Sequence, residues 1–269
     1  MYMQLQNNST PNIVTFGSCL SRYTSNHYVR LFGGKIISSV YHNRSDAFCG
    51  RLLDQSWYID PFDEIKSSLL KEEQQSTNQD NNSTQILKNQ YLETIGLHRL
   101  SSGQPLFDAV KSGKVDLFVV DNYMDLAARL VKQPSKPTSG LFLRIYDFAV
   151  PEKIKDRSKG EAWAIGEHLS PEDGIKYMSR ILDFFREYNP AARIVFINFP
   201  HNTYSHSPER VARTQEYERL FNYQGCDIIP CMTIPEMNQT EDKMHFKPTQ
   251  YAAYAGLIKG MALQRQQQR

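Results

Sequence analysis

Short runs of β-branched and apolar residues alternate along this chain with longer segments of helical periodicity, and that alternation restricts the fold more than any other feature. The strand candidates are Asn12–Phe16, Lys35–Val40, Asp116–Val120, Arg193–Phe199 and Cys226–Ile229. They are mostly unbroken apolar runs, the pattern of strands buried on both faces of a parallel sheet. Helix signals lie between them. Ser170-Pro171-Glu172-Asp173 combines an N-cap serine, proline at the first helical position and an acid in the capping-box place. The helix that follows puts Ile175, Met178, Leu182 and Phe185 on one face. Ser207-Pro208-Glu209 opens another helix, and Thr249–Gln264, after Pro248, reads as the closing one. A chain so organised is expected to form a three-layer α/β/α sandwich around a five-stranded parallel sheet of order 2-1-3-4-5.

The composition suits that architecture. The 269 residues are 40 % hydrophobic and carry 31 Lys+Arg against 29 Asp+Glu, for a net charge of +2. That excludes a wholly disordered chain or a collagen-like fibre. Near-balanced charge without a basic block gives little support to nucleic-acid binding and favours a small or neutral ligand. One domain over residues 1–269 is expected, with two interruptions. Gln74–Gln85 has no apolar side chain and is expected to be a disordered insertion. Lys132–Ala164, with three prolines and scattered aromatics, reads as an elaborated loop capping the substrate side. No apolar run approaches the ~20 residues of a membrane span. The segment MYMQLQNNSTPN has no secretory pattern, and the four cysteines form no CxxC pair. A cytoplasmic protein with reduced thiols is the expectation.

Three blocks carry candidate chemistry. Phe16-Gly17-Ser18-Cys19 follows the first strand, where glycine permits a sharp turn into a helix. A thiol there meets unpaired backbone N–H groups and the positive end of the helix dipole, and both favour thiolate; the plainer reading of a lone cysteine is a small buried hydrophobe. Asp121-Asn122 ends the third strand, across the topological switch point from Cys19. An amide there can donate to an oxyanion or simply cap a helix. Asp242-Lys243-Met244-His245 precedes the closing helix. In a constrained loop the aspartate can accept from His Nδ1 and leave Nε2 as a base. Arg22, Arg44 and Lys247 lie near the expected crevice, and His201 and His206 follow the fourth strand. His-x4-His without a nearby acid is a poor metal pattern, so no metal is expected.

Together the blocks resemble the SGNH (GDSL-like) hydrolase superfamily over nearly the whole chain. Phe16-Gly17-Ser18-Cys19-Leu20 aligns with that family's FGDSL, Asn122 with its third block, and Asp242 and His245 with its last. The glycine of its second block has no counterpart, because Tyr41-His42-Asn43-Arg44-Ser45 follows the second strand. The Gly-Ser-Cys form is similar to the cysteine branch that includes the WcbI-type capsular polysaccharide acetyltransferases. The resemblance implies O-acetyl transfer to a carbohydrate hydroxyl, with acetyl-CoA as co-substrate and no tightly bound cofactor. It implies a Cys19–His245–Asp242 triad, with Asn122 and the Cys19 backbone N–H as oxyanion donors. Ser18, Arg22, Arg44, Ser45, His201 and Lys247 are the expected substrate- or cofactor-binding residues, with the arginines and lysine meeting CoA phosphates. A carbohydrate esterase or thioesterase on the same residues, or a catalytically silent binding module, are the alternatives.

Overall fold

The computed structural model describes residues 10–69, 82–98, 100, 102–132, 140–143, 164–204 and 206–267. Five parallel strands form the central sheet: β1 (Asn12–Gly17), β2 (Lys35–Tyr41), β3 (Leu117–Asp121), β6 (Arg193–Ile197) and β7 (Cys226–Ile229). Their order is β2-β1-β3-β6-β7, the expected 2-1-3-4-5 with two short strands, β4 (Val131–Lys132) and β5 (Ala164–Ile165), paired separately. β3 is buried at every position, and β1 and β6 at all but their first. This accounts for their unbroken apolar runs. The sheet's strand order reverses at β1, where the register aligns Phe16 with Val120, so Gly17 and Asp121 end side by side.

Helices cover both faces. α1 (Cys19–Phe32) packs against the closing helix α9 (Pro248–Gln267), while α7 (Pro171–Tyr188) packs against α8 (Pro208–Leu220) and the short α2 (Ser45–Phe48). The α7 start is the expected one: Ser170 Oγ accepts from Asp173 N at 3.1 Å, with Pro171 as the first helical residue. Its face buries Met178, Leu182 and Phe185 together with Ile181, and Phe185 stacks on Phe118 of β3 at 4.4 Å between ring centroids. On the other side, Leu31 and Phe32 at the end of α1 are exposed. The strand expected to reach Phe199 stops at Ile197, because the Asn198 backbone N–H turns to Ile229 O and the Phe199 N–H to the Asn122 side chain.

The remaining helices, α3 (Phe62–Leu69), α4 (Asn82–Lys88), α5 (Leu106–Lys111) and α6 (Tyr123–Ala127), fill the connections. α4 corrects part of the expected disordered insertion. Residues 74–81 lie outside the described residues, but Asn82–Gln85 form the first turn of α4, with Ser83 and Thr84 buried. The Ile86 and Leu87 side chains that follow are buried and anchor that polar turn. Of the expected cap, Lys132 pairs with Ala164, and Leu141 and Leu143 join Ile65, Leu87 and Val131 in a second apolar cluster; 133–139 and 144–163 lie outside the described residues. Among the described residues no helix is long and apolar enough to cross a membrane.

Candidate active site

The turn between β1 and α1 is set by a buried carboxylate. Gly17 has φ +136°, and a Cβ there would come within 2.7 Å of the Asp121 carboxylate and carbonyl, so only glycine fits. Asp121 Oδ2 accepts from Ser18 N (2.9 Å), Ser18 Oγ (3.0 Å) and Ser21 N (2.9 Å), while Oδ1 accepts from Tyr123 N (3.0 Å). Burial pushes this carboxyl upward, against those hydrogen bonds. Ser18 Oγ in turn accepts from Leu20 N at 3.0 Å and caps α1. Cys19 is therefore the first residue of a 14-residue helix, at the positive end of its dipole.

The second component is the loop before α9. Lys243 takes a left-handed φ of +58°, which folds the chain back over Asp242. Asp242 Oδ1 then accepts from Met244 N and His245 N, both at 2.9 Å, and from Thr240 Oγ1 at 2.7 Å. Its Oδ2 lies 2.5 Å from His245 Nδ1. An ionised carboxylate only accepts, so Nδ1 carries the proton and Nε2 is the basic nitrogen. Burial would raise the Asp242 carboxyl, but the hydrogen bonds from His245, Thr240 and the two backbone N–H groups hold it well below the usual range.

Both components meet at one cavity of about 510 Å³ at the carboxyl end of the sheet. Ser18, Cys19, Asp242 and His245 line it, with walls from Tyr23, Tyr41, His42, Asn82, Ile86, His98, Tyr123, Phe142 and Met244. The His42 ring lies parallel to Phe142 at 5.5 Å. His42, just after β2, has a left-handed φ of +54°, and its side chain becomes cavity wall. Asp242 and His245 keep 43 % and 40 % of their side chains exposed, which leaves the cavity open to solvent on that side.

Other expected site residues stand elsewhere. Asn122 is fully buried: its Nδ2 donates to Asn198 Oδ1 at 3.2 Å and its Oδ1 accepts from Phe199 N at 2.8 Å. It ties the ends of β3 and β6 together and is not among the residues that line the cavity. Arg44 is also buried, paired with Asp46 at 2.7 Å and donating to Ala128 O and Glu167 O. Ser45 N donates to Asp125 Oδ1 at 2.8 Å, and Ser45 is buried. Neither reaches the cavity, so both are structural. Arg22 is buried too, and burial lowers its pKa. His201 begins a 3-10 turn and lines no wall of the cavity. Lys247 lines a separate open cleft of about 630 Å³ with Asp242, Gln239, Thr240 and Glu241. Asp121 was legible as an acid closing an apolar strand, and Phe142 is one of the aromatics of the segment expected to cap the substrate side; His98 carries no local sequence signal.

By sequence the chain matches no family model and no curated protein. By structure it is similar to a Streptococcus pneumonia protein provisionally described as a platelet activating factor, at 12 % identity and a TM-score of 0.42, over 96 % of this chain and 86 % of that one. It is also similar to an acetyl xylan esterase (Est2A) from the rumen bacterium Butyrivibrio proteoclasticus, at 11 % identity and a TM-score of 0.37. That alignment spans 93 % of this chain and 62 % of the esterase.

Proposed function

We propose that this protein is an acyl-transfer enzyme of SGNH type, carrying an acetyl group from acetyl-CoA to a carbohydrate hydroxyl through Cys19. The observation that carries the reading is the 2.5 Å contact from His245 Nδ1 to Asp242, at the cavity whose wall includes a cysteine on the first turn of α1. Asp242 orients the imidazole and stabilises it when protonated. His245 Nε2 takes the Cys19 proton, and Sγ attacks the thioester carbonyl, forming a new C–S bond as the carbonyl oxygen becomes an oxyanion. The Cys19 backbone N–H, at the helix start, donates to that oxyanion. Collapse breaks the donor's C–S bond, and its thiolate leaves with the proton from His245. The acceptor hydroxyl then gives its proton to His245 and attacks acyl-Cys19, and the Cys19 thiolate departs. One thioester becomes another of similar energy before the ester forms. The aromatic walls from Tyr23, Tyr41, Tyr123 and Phe142 suit the apolar faces of a sugar ring.

Hydrolysis is the second reading, favoured by the exposure of Asp242 and His245, which admits water to the same base. The test is incubation with acetyl-CoA followed by an acid quench and intact mass. One acetyl group at Cys19, absent from Cys19→Ala, is the expected result. If Cys19→Ala turns over acetyl-CoA or an aryl acetate at the wild-type rate, covalent catalysis is wrong. Neither acetylation nor turnover in the wild type would leave a binding module.

A further inference from the structure

Three arginines form no ion pair among the described residues, and one of them, Arg210, packs on a ring that lines the cavity. Arg210 and Arg213 lie one turn apart near the start of α8, where the helix dipole adds to their field. The Arg210 guanidinium sits 3.4 Å from the Tyr204 ring centroid and 5.2 Å from that of Tyr123, so it is fixed by aromatic faces rather than by a carboxylate. Its Nε and Nη2 have no hydrogen-bond partner among the described residues, nor does Arg213 Nε. Arg213 Nη2 donates to Leu126 O at 3.2 Å, and Arg129 Nε to Gly166 O at 2.8 Å. His168 feels all three, and Arg44 besides; burial and these guanidiniums lower its pKa to about 4, so the imidazole adds no charge at neutral pH. Arg44 is neutralised by Asp46. The carboxylate that Arg213 feels is Glu209, which forms no ion pair with it.

We infer that Arg129, Arg210 and Arg213 form a site for a polyvalent anion, and that it receives the phosphate groups of the acyl donor. Three guanidiniums without an ion pair among the described residues call for more than one negative charge, which a diphosphate or bisphosphate supplies and a single carboxylate does not. Tyr123 connects the site to the chemistry, because its ring is under Arg210 on one side and lines the Cys19 cavity. The assignment replaces Arg44, which is spent on Asp46, as the expected phosphate ligand. The anion site stands on its own geometry; only the identification of its ligand as the donor rests on the proposed function.

The test is calorimetric titration of the full chain with inorganic pyrophosphate and with adenosine 3′,5′-bisphosphate, for wild type and Arg129→Gln/Arg213→Gln. Arg210 is left in place because two rings pack on it. Saturable binding to the wild type that weakens at least about 10-fold in the variant, and weakens with added salt, is expected. If the double variant does not fold, Arg129→Lys/Arg213→Lys keeps the charge while removing the fork and should still bind more weakly. No pyrophosphate binding by the wild type, equal binding by both proteins, or tighter binding of glucuronate than of pyrophosphate overturns the site. Loss of pyrophosphate binding with no acetylation of Cys19 in either protein supports the anion site and removes the donor reading. Acetylation of Cys19 with the same half-saturating acetyl-CoA in both proteins overturns the link between site and donor while the proposed function stands.

Discussion

Replacing Asp121 should unlock the turn that presents Cys19. Its carboxylate accepts four hydrogen bonds, three of them from backbone N–H groups in a fully buried place. In Asp121→Asn the amide nitrogen can take the Oδ1 position, keeping the three donors at Oδ2 and setting Tyr123 N against an NH2 group. One unsatisfied buried donor costs about 1–3 kcal/mol, and the other bonds lose their charge assistance. Relief of a buried charge, which already pushes this carboxyl upward, offsets part of that, leaving a net loss of about 2 kcal/mol. Asp121→Ala strands Ser18 N, Ser21 N and Tyr123 N together, at about 4 kcal/mol or more. Urea denaturation followed by circular dichroism measures both losses, and the rate of Cys19 alkylation reads the turn directly. If Asp121→Ala unfolds within 1 kcal/mol of the wild type, on the scale of ordinary surface substitutions, and alkylates at the same rate, the carboxylate does not hold the turn.

Asp242→Asn should keep the fold but leave His245 in the wrong tautomer, with acyl transfer reduced on the order of 10³–10⁴-fold; near-full activity in a steady-state assay would remove Asp242 from the mechanism. Asp125 is buried against Ser45 and Tyr217, and burial raises its pKa to about 7. A raised carboxyl stabilises the folded state while protonated, so stability from this group is full below about pH 4 and lost as the pH rises through about 7. The loss is at most roughly 4 kcal/mol, and Asp125→Asn should flatten that part of the stability–pH curve. Ser170→Ala removes the α7 cap that accepts from Asp173 N and should cost about 1 kcal/mol in a thermal or urea melt.

The sheet was legible because its strands are buried on both faces, so their apolar runs needed no partner to be recognised. Cys226–Ile229 matches residue for residue, while the first strand extends one residue to Gly17 because the turn begins only at Ser18. The residues that line the cavity from the first turn of α1 and from the loop before α9 were legible for a similar reason: turn glycine, first-turn cysteine and the Asp242–His245 pair are each set by local chain geometry. What the sequence concealed depends on distant contacts. Asn122 follows a strand end, but its burial and its bonds to Asn198 and Phe199 at the end of a neighbouring strand depend on the sheet order. Arg44 looks available until Asp46, two residues on, is seen to close around it. Asn82–Gln85 has no apolar residue, yet the helix continues into Ile86 and Leu87, whose burial carries the polar turn into the structure. His98 reaches the cavity from a connection without a periodic pattern.

Selective alkylation of the four cysteines tests the central claim most directly, because it reads Cys19 without assuming a substrate. Burial raises Cys49 and Cys226 to about 12, and burial with Glu218 pushes Cys231 higher still. Near pH 7.5 those three thiols are ionised at roughly one part in 10⁴ or less, whereas a thiol on the first turn of α1 and in the wall of an open cavity is favoured as thiolate. Limited iodoacetamide treatment of the folded protein, followed by peptide mass mapping, should modify Cys19 first, and the rate should fall in His245→Ala. Modification of Cys49, Cys226 or Cys231 ahead of Cys19 would contradict the assignment of Cys19 as the nucleophile.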